Sequence, residues 1–320
     1  MWKIASLALL ARNDTKKLKA FIFGGTGFVG AALIKELLAQ GAQVTATVRT
    51  FERAQNLPRG VRAIPADITK PSSFQHAMRG QEVVFHLAAV TRTGVPLKDR
   101  ERVQRINVEG ARNVLAAAAE AGVPRLIYAS CADTAAENLV LETETQRAKQ
   151  RAHFEVAADM QKRGAPITIA CLGTVYGPTD PSGWGRLVGW HKRRRLPIMY
   201  SPESVRAWTF VEDAARGLWL CAERGRVGET YNLVGPTHTL KEFFAACAEV
   251  TGQPAPYLWL PGTLARGAAR LLERPLPAWA ERLRSLTTSS PTVSAEKAQA
   301  ELGWEACSLK DGLNRTFSIG

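Results

Sequence analysis

Short apolar runs and longer amphipathic runs take turns along the first half of this chain. Residues 18–23, "LKAFIF", are apolar and β-prone and predict a strand. Residues 31–40 are helix-prone and stop at Gly41, a natural C-terminal signal. "AQVTATVRT" and "VRAIPADIT" predict a second and a third strand, "SSFQHAMRG" a helix and "EVVFHLAA" a fourth strand. "NVEGARNVLAAAAEAG" predicts a strong helix, "RLIYASC" a fifth strand, "ETETQRAKQRAHFE" (142–155) a helix and "PITIACLG" a sixth strand. Strands that alternate with helices imply an α/β fold, a doubly wound parallel sheet covered on both faces.

After Tyr176 the rhythm breaks. "YGPTDPSGWG" reads as a loop, and "HKRRRLPIMY" as a basic helix end running into a strand. "AWTFVEDAARGLWLCAERG" returns to strand then helix, and "ETYNLVG" is one more strand. "TLKEFFAACAEVTG" and "SAEKAQAELGWEA" are helical, joined by Pro-rich connections. The expected organisation is an N-terminal extension at 1–17 and a nucleotide-binding domain at 18–177 plus 207–234. A smaller C-terminal substrate lobe takes 178–206 plus 235–320. The extension has an apolar run too short for a convincing signal peptide and reads as an amphipathic turn.

Composition changes this picture little. Of 320 residues, 46% are hydrophobic and 22% charged, which is ordinary for a globular chain. The net charge of +13 is not ordinary and favours acidic partners: phosphorylated substrates, nucleic acid or anionic lipid. The simplest reading is an enzyme with an Arg-rich surface, because no RNA-binding motif and no specific membrane signal accompanies the charge. No run approaches the ~18 apolar residues of a membrane span. Five scattered cysteines without a C-x-x-C pair argue for a reducing, cytoplasmic setting and against a zinc site or disulfide framework.

Candidate chemistry begins at "GGTGFVG". Gly24, Gly27 and Gly30 follow a strand and open a helix, with Thr26, Phe28 and Val29 between them. The first glycine permits the tight turn, the second lets backbone approach a pyrophosphate, and the third lets helix pack on strand: the Rossmann pattern. About 20 residues on, NAD-binding chains place an acid for the ribose. Here Val48 stands there and Arg49 follows, whose planar fork suits a 2′-phosphate. The expected cofactor is therefore NADP(H) rather than NAD(H). Asp67 and Ile68 in "ADIT" suit an adenine, and Leu87, Ala88 and Ala89 are small enough to lie along a cofactor. His86 reads as an ordinary packed strand histidine.

Together "GGTGFVG", "ADIT", "FHLAAV", "NVEGARNVL", "RLIYASC", "GTVYGP", "WTFVEDAARG", "YNLVG" and "SAEKAQAELGW" resemble the extended short-chain dehydrogenase/reductase family. That family includes sugar-nucleotide epimerases and dihydroflavonol-type reductases, and "TATVRT" looks more like the reductase branch. The resemblance implies a Ser or Thr that holds the substrate oxygen, a Tyr that passes the proton and a Lys four residues later. The lysine holds the ribose and lowers the tyrosine pKa. Asn107 matches the family's active-site asparagine and Lys149 its lysine. The serine position falls at Cys131, with Ser130 before it and Thr134 after it. The tyrosine position is Thr145, whose hydroxyl is too weak an acid to replace a phenol near neutral pH. Leu172, Gly173 and Val175 stand where the family frames the nicotinamide, although Cys171 and Leu172 replace its usual Arg-Pro.

Three readings stay open. The chain is an atypical reductase using Lys149 or a relocated acid, for which Tyr176, Tyr128, His153, Glu142 and Glu144 are substitutes. Alternatively it is a nucleotide-sugar epimerase-like or non-redox enzyme, with "HKRRR" (191–195) and Arg206 gripping a diphosphate. The third is a cofactor-binding scaffold or sensor without turnover. The partners expected are a small-molecule substrate and, by analogy, a second copy paired through helices 103–121 and 142–155.

Overall fold

The structure, a computed structural model, describes residues 17–135, 139 and 141–318, so the expected N-terminal turn lies outside the described residues. The elements run β1 (Lys19–Phe23), α1 (Phe28–Ala39), β2 (Gln43–Val48), β3 (Arg62–Pro65), β4 (Val83–His86), α2 (Arg100–Gln104), α3 (Gly110–Glu120) and β5 (Leu126–Cys131). They continue with α4 (Glu144–Arg151), α5 (Asp159–Lys162), β6 (Ile167–Leu172), β7 (Thr174–Tyr176), α6 (Gly183–Lys192), β8 (Ile198–Tyr200), β9 (Val205–Phe210) and α7 (Val211–Glu223). The last are β10 (Thr230–Leu233), β11 (Thr237–Thr239), α8 (Leu240–Thr251), β12 (Leu258–Leu260), α9 (Gly262–Leu272), α10 (Pro277–Thr287), α11 (Glu296–Leu302) and α12 (Leu309–Phe317).

Seven strands form one sheet in the order β10-β6-β5-β4-β1-β2-β3, every neighbouring pair parallel. Apolar runs such as "AFIF" are buried on both sides, so α1, α7 and α11 cover one face while α2, α3 and α4 cover the other. The strand order reverses direction between β1 and β4. That is the switch point where the C-terminal strand ends diverge and leave a crevice.

A third core sits outside the sheet. Trp208 and Phe243 stack at 3.8 Å between centroids, with Tyr176, Phe210, Phe244, Leu309 and Leu313 around them. Each such buried ring contributes about 2–3 kcal/mol. Thr239 starts α8 with a capping box, accepting from Glu242 N at 3.2 Å while Glu242 Oε2 accepts from Thr239 N at 2.8 Å.

Three expectations need correction. "SSFQHAMRG" is not an α-helix but two 3₁₀ turns, Pro71–Ser73 and Gln75–Met78. The Ser73 hydroxyl bonds the Lys70 carbonyl at 2.7 Å, and such local side-chain bonds compete with a helical ladder. The last three residues of "YGPTDPSGWG" are helix: the Ser182 hydroxyl accepts from Trp184 N and Gly185 N and starts α6. Finally, the Pro-rich connection contains two full helices, α9 and α10.

Candidate functional site

The glycine turn leaves β1 at the switch point. Gly24 has φ of +90°, and a Cβ there would stand 2.8 Å from Ala88 N. So "GGTG" and "LAA" touch backbone to backbone. A Cβ on Gly30 would meet the Gly24 carbonyl oxygen at 2.1 Å, so α1 can approach the strand only without one. Gly27 caps α1 with no side-chain hydrogen bond, leaving first-turn N–H groups available to an anion.

The other nucleotide-site candidates lie along the same C-terminal strand edge. Arg49 is exposed just past β2. Asp67, past β3, accepts from Thr69 N at 2.9 Å and Thr69 Oγ1 at 2.8 Å, which hold its pKa below the usual carboxylate range. Ile68 lies where a Cβ on Gly110 would be, and Asn113 Nδ2 donates to its carbonyl. Gly173 serves packing, since a Cβ there would meet the Ala207 carbonyl oxygen and Thr209 Oγ1, both at 2.6 Å. Leu172 is buried and Val175 packs under α1.

Asn107 sits on a π turn, Arg105–Glu109, that swings it inward. Its amide accepts from Val90 N at 2.7 Å and donates to Val90 O at 2.9 Å, fixing the loop after β4. Lys149 Nζ donates to the Ala129 carbonyl at 3.1 Å and lies 5.5 Å from the centre of the Tyr128 ring. Burial pulls its pKa below the ordinary lysine range, opposed by the Cys131 and Cys171 thiols. Burial pushes Cys131 up to about 12, so it is a neutral thiol. Ser130 turns from the crevice to His153, Oγ to Nδ1 2.8 Å. Burial, with Lys149 adding to it, pulls His153 down to about 4 and His86 to about 3.

Thr145 is buried and bonded to the helix cap: its hydroxyl lies 3.1 Å from that of Thr143, which closes a capping box with Gln146. Thr134 is buried too, donating to the Cys131 carbonyl. Three substitute acids are not brought to Lys149. Tyr176 is packed in the third core with its hydroxyl toward the Leu309 carbonyl, and burial raises its pKa far above the ordinary phenol value. Glu142 faces Arg284 at 3.4 Å. Glu144 is bonded to Gln104 and Arg147. Tyr128 does lie beside Lys149, but its hydroxyl is buried without a partner among the described residues and burial raises its pKa.

The diphosphate grip imagined for "HKRRR" and Arg206 does not form. His191 is buried against Thr251, and residues 192–195 are exposed at the outer end of α6. Arg206 is buried, and Nη2 donates to the carbonyls of Ser285 and Thr288 at 2.7 and 2.8 Å. Its guanidinium lies over Trp184, so it is held inside the lobe, although Nε is buried without a hydrogen-bond partner among the described residues.

Sequence reading missed Glu281, because its partners are remote in sequence. It comes from α10, is 1% exposed, and accepts from Val95 N at 2.8 Å and Glu144 N at 2.7 Å. One carboxylate thus ties the β4 loop to the start of α4, the helix that carries Thr145 and Lys149. Beside it is a cleft of about 280 Å³ between Asp133 and Glu142 on one side and Arg266, Thr287 and Ser289 on the other. Glu281→Ala strands two buried N–H groups at about 1–3 kcal/mol each, so a loss of about 2–6 kcal/mol is expected. Glu281→Gln, which keeps an acceptor, should lose under half as much. Urea unfolding compares them, and equal losses would remove the tie as the cause.

Residues 20–234 match the NAD dependent epimerase/dehydratase family. The chain belongs to that family. It is 33% identical, over 92% of its own length and 92% of the relative's, to a Synechocystis sp. protein named provisionally as a dihydroflavonol 4-reductase. It is 28% identical to a ketoreductase of a farnesylated dihydroquinoline oxide from Stigmatella aurantiaca, covering 90% of this chain and 92% of that one. Among solved structures, gox2253 superposes with a TM-score of 0.80 at 25% identity, covering 95% and 97% of the two chains. The UDP-glucose 4-epimerase of Thermus thermophilus, solved with NAD, gives 0.73 at 24% identity over 93% and 97% and shares the fold. The extended short-chain resemblance and its doubly wound fold therefore hold for this family member.

Proposed function

We propose that this chain is an NADP(H)-dependent reductase of carbonyl or conjugated carbonyl compounds in which Lys149 supplies the proton. Two positions four residues apart support it. Thr145 is an alcohol tied into the helix cap, while Lys149 is an ammonium of lowered pKa on the crevice side of β5. The relatives named as reductases favour a carbonyl substrate.

The cradle of Gly24 and Gly30 and the uncapped start of α1 fit a dinucleotide pyrophosphate. When bound, the nicotinamide supplies hydride to the substrate carbon. Around it, α1 holds the pyrophosphate and Asp67 with Ile68 receives the adenine. Leu87, Ala88, Ala89 and Leu172 line the nicotinamide end. Asn107 holds the Val90 backbone in place. Lys149 gives a proton from Nζ to the oxygen that takes up the electron pair, and then regains one from water. The lobe of residues 178–206 and 235–320 supplies the far wall of the cleft.

Arg49 takes the 2′-phosphate by its planar fork. Arg49→Ala should weaken NADPH about 10- to 100-fold, as expected for a charged hydrogen bond, and leave NADH within about twofold. Equal losses for both nucleotides would remove Arg49 from cofactor choice.

Deuterium-labelled NADPH tests the reaction itself. Offered a panel of ketones and enones, the protein should place deuterium on a substrate carbon. Tight NADPH binding with no transfer to any of them would favour a binding protein without turnover. That second reading has one observation of its own: Cys131, where a hydroxyl would hold the substrate, is a neutral thiol.

A further inference from the structure

The α9–α10 hairpin turns large apolar side chains outward. Leu264 is 56% exposed, Leu271 82%, Leu276 49% and Trp279 55%. Along α9, Leu264, Gly267 and Leu271 follow i, i+3, i+7 spacing and share one outer stripe. Ala265 and Ala269, on the opposite face, are fully buried. Arg270 and Arg274, at i and i+4, run toward the leucine side and are exposed, while Arg266, exposed too, lines the cleft. None of these three arginines has an ion-pair partner among the described residues. The hairpin's own carboxylates are committed elsewhere: Glu273 faces Arg284 at 3.3 Å and Glu281 is buried under α10. Trp279 has the Arg282 guanidinium 5.0 Å from its ring centre.

Monomers seldom leave several large apolar side chains together in water without a use. Leucines and a tryptophan flanked by unneutralised arginines match one environment, the boundary between acyl chains and anionic headgroups. We propose that the outer face of the α9–α10 hairpin docks on an anionic lipid surface, with Leu264, Leu271, Leu276 and Trp279 entering the boundary and Arg270 and Arg274 meeting the headgroups. Among the described residues no helix is long and apolar enough to cross a membrane, so the contact is peripheral. The arginines favour lipid over a second copy, because a self-complementary contact would set the hairpin's net positive charge against itself.

Sedimentation with vesicles tests this on the full chain. Vesicles of phosphatidylcholine with one part in four of phosphatidylserine should pellet the protein, and pure phosphatidylcholine vesicles should pellet little. Raising salt to about 0.5 M should release much of it, since screening shortens the reach of the headgroup charge. Leu271→Glu should weaken the partition about tenfold or more, and Leu264→Ser to a lesser degree, with thermal melting unchanged because both side chains face water. No pelleting with anionic vesicles, or equal pelleting of wild type and Leu271→Glu, overturns the proposal. So does a wild-type dimer in analytical ultracentrifugation that Leu271→Glu dissociates, since a second copy would then cover the face.

Discussion

Replacing Lys149 with methionine or alanine should lower kcat for a ketone that the wild type reduces by about 10²- to 10⁴-fold, the usual share of a positioned general acid. That is about 3–5 kcal/mol of transition-state stabilisation. Among the described residues no second acid is placed to rescue the step. Tyr176 is in the third core, Glu142 and Glu144 are in ion pairs, and the Tyr128 phenol and Cys131 thiol are both raised by burial. The fold should survive. Lys149→Met removes a charge that burial disfavours and keeps most of the side-chain volume, so its stability should match or exceed wild type. The pH profile adds a separate sign. Lys149 acts while protonated and its pKa is lowered, so wild-type kcat should fall as pH rises through a value below the ordinary lysine range. The residual rate of the variants should lack that alkaline fall. Wild-type rates in Lys149→Met would end the assignment.

Acid should destabilise this protein more steeply than its surface carboxylates account for. His86 and His153 are buried as neutral rings, with pKa values pulled from 6.5 to about 3 and about 4. A lowered folded-state value means that below about pH 6.5 the unfolded chain takes up protons the folded one refuses. Stability is therefore whole above that pH. It is lost as pH falls, until each ring protonates in the fold near its own lowered value. Between about pH 7 and about pH 4.5 the two rings together should remove about 5 kcal/mol. His153→Gln keeps a polar partner for Ser130 and should remove about half of that pH dependence. Urea unfolding of both proteins at the two pH values measures it, and an unchanged slope in the variant would show that His153 is not the titrating group. In Lys149→Met, both histidines should titrate somewhat higher, because Lys149 is the second cause of each lowering.

The glycine turn was legible in the sequence because its signals are local. Gly24 and Gly30 lie within one strand-turn-helix unit, and the turn needs their missing side chains for reasons the structure repeats atom by atom. The sheet was legible because strands buried on both faces read as continuous apolar runs. The hairpin α9–α10 was not. Its outward leucines and its Gly and Pro residues blur the helical period that marks a buried face. The helix expected at 72–80 failed because Ser73 and Asp67 bond nearby groups and break the ladder. The inward swing of Asn107 depends on a π turn, which propensity does not mark. Glu281 reaches Val95 across 186 residues and Glu144 across 137, so no window of sequence contains the tie. Lys149 was placed by its distance from "GTVYGP", yet what surrounds it (a carbonyl, a buried phenol and two neutral histidines) is assembled from three separate elements.

One binding measurement tests the account most directly: a fluorescence titration of the wild-type protein with NADPH and, separately, with NADH. Micromolar or tighter binding of NADPH, with NADH at least about tenfold weaker, is the predicted result. Binding of neither nucleotide would contradict it, leaving the glycine cradle without a ligand and Lys149 without a reaction to serve.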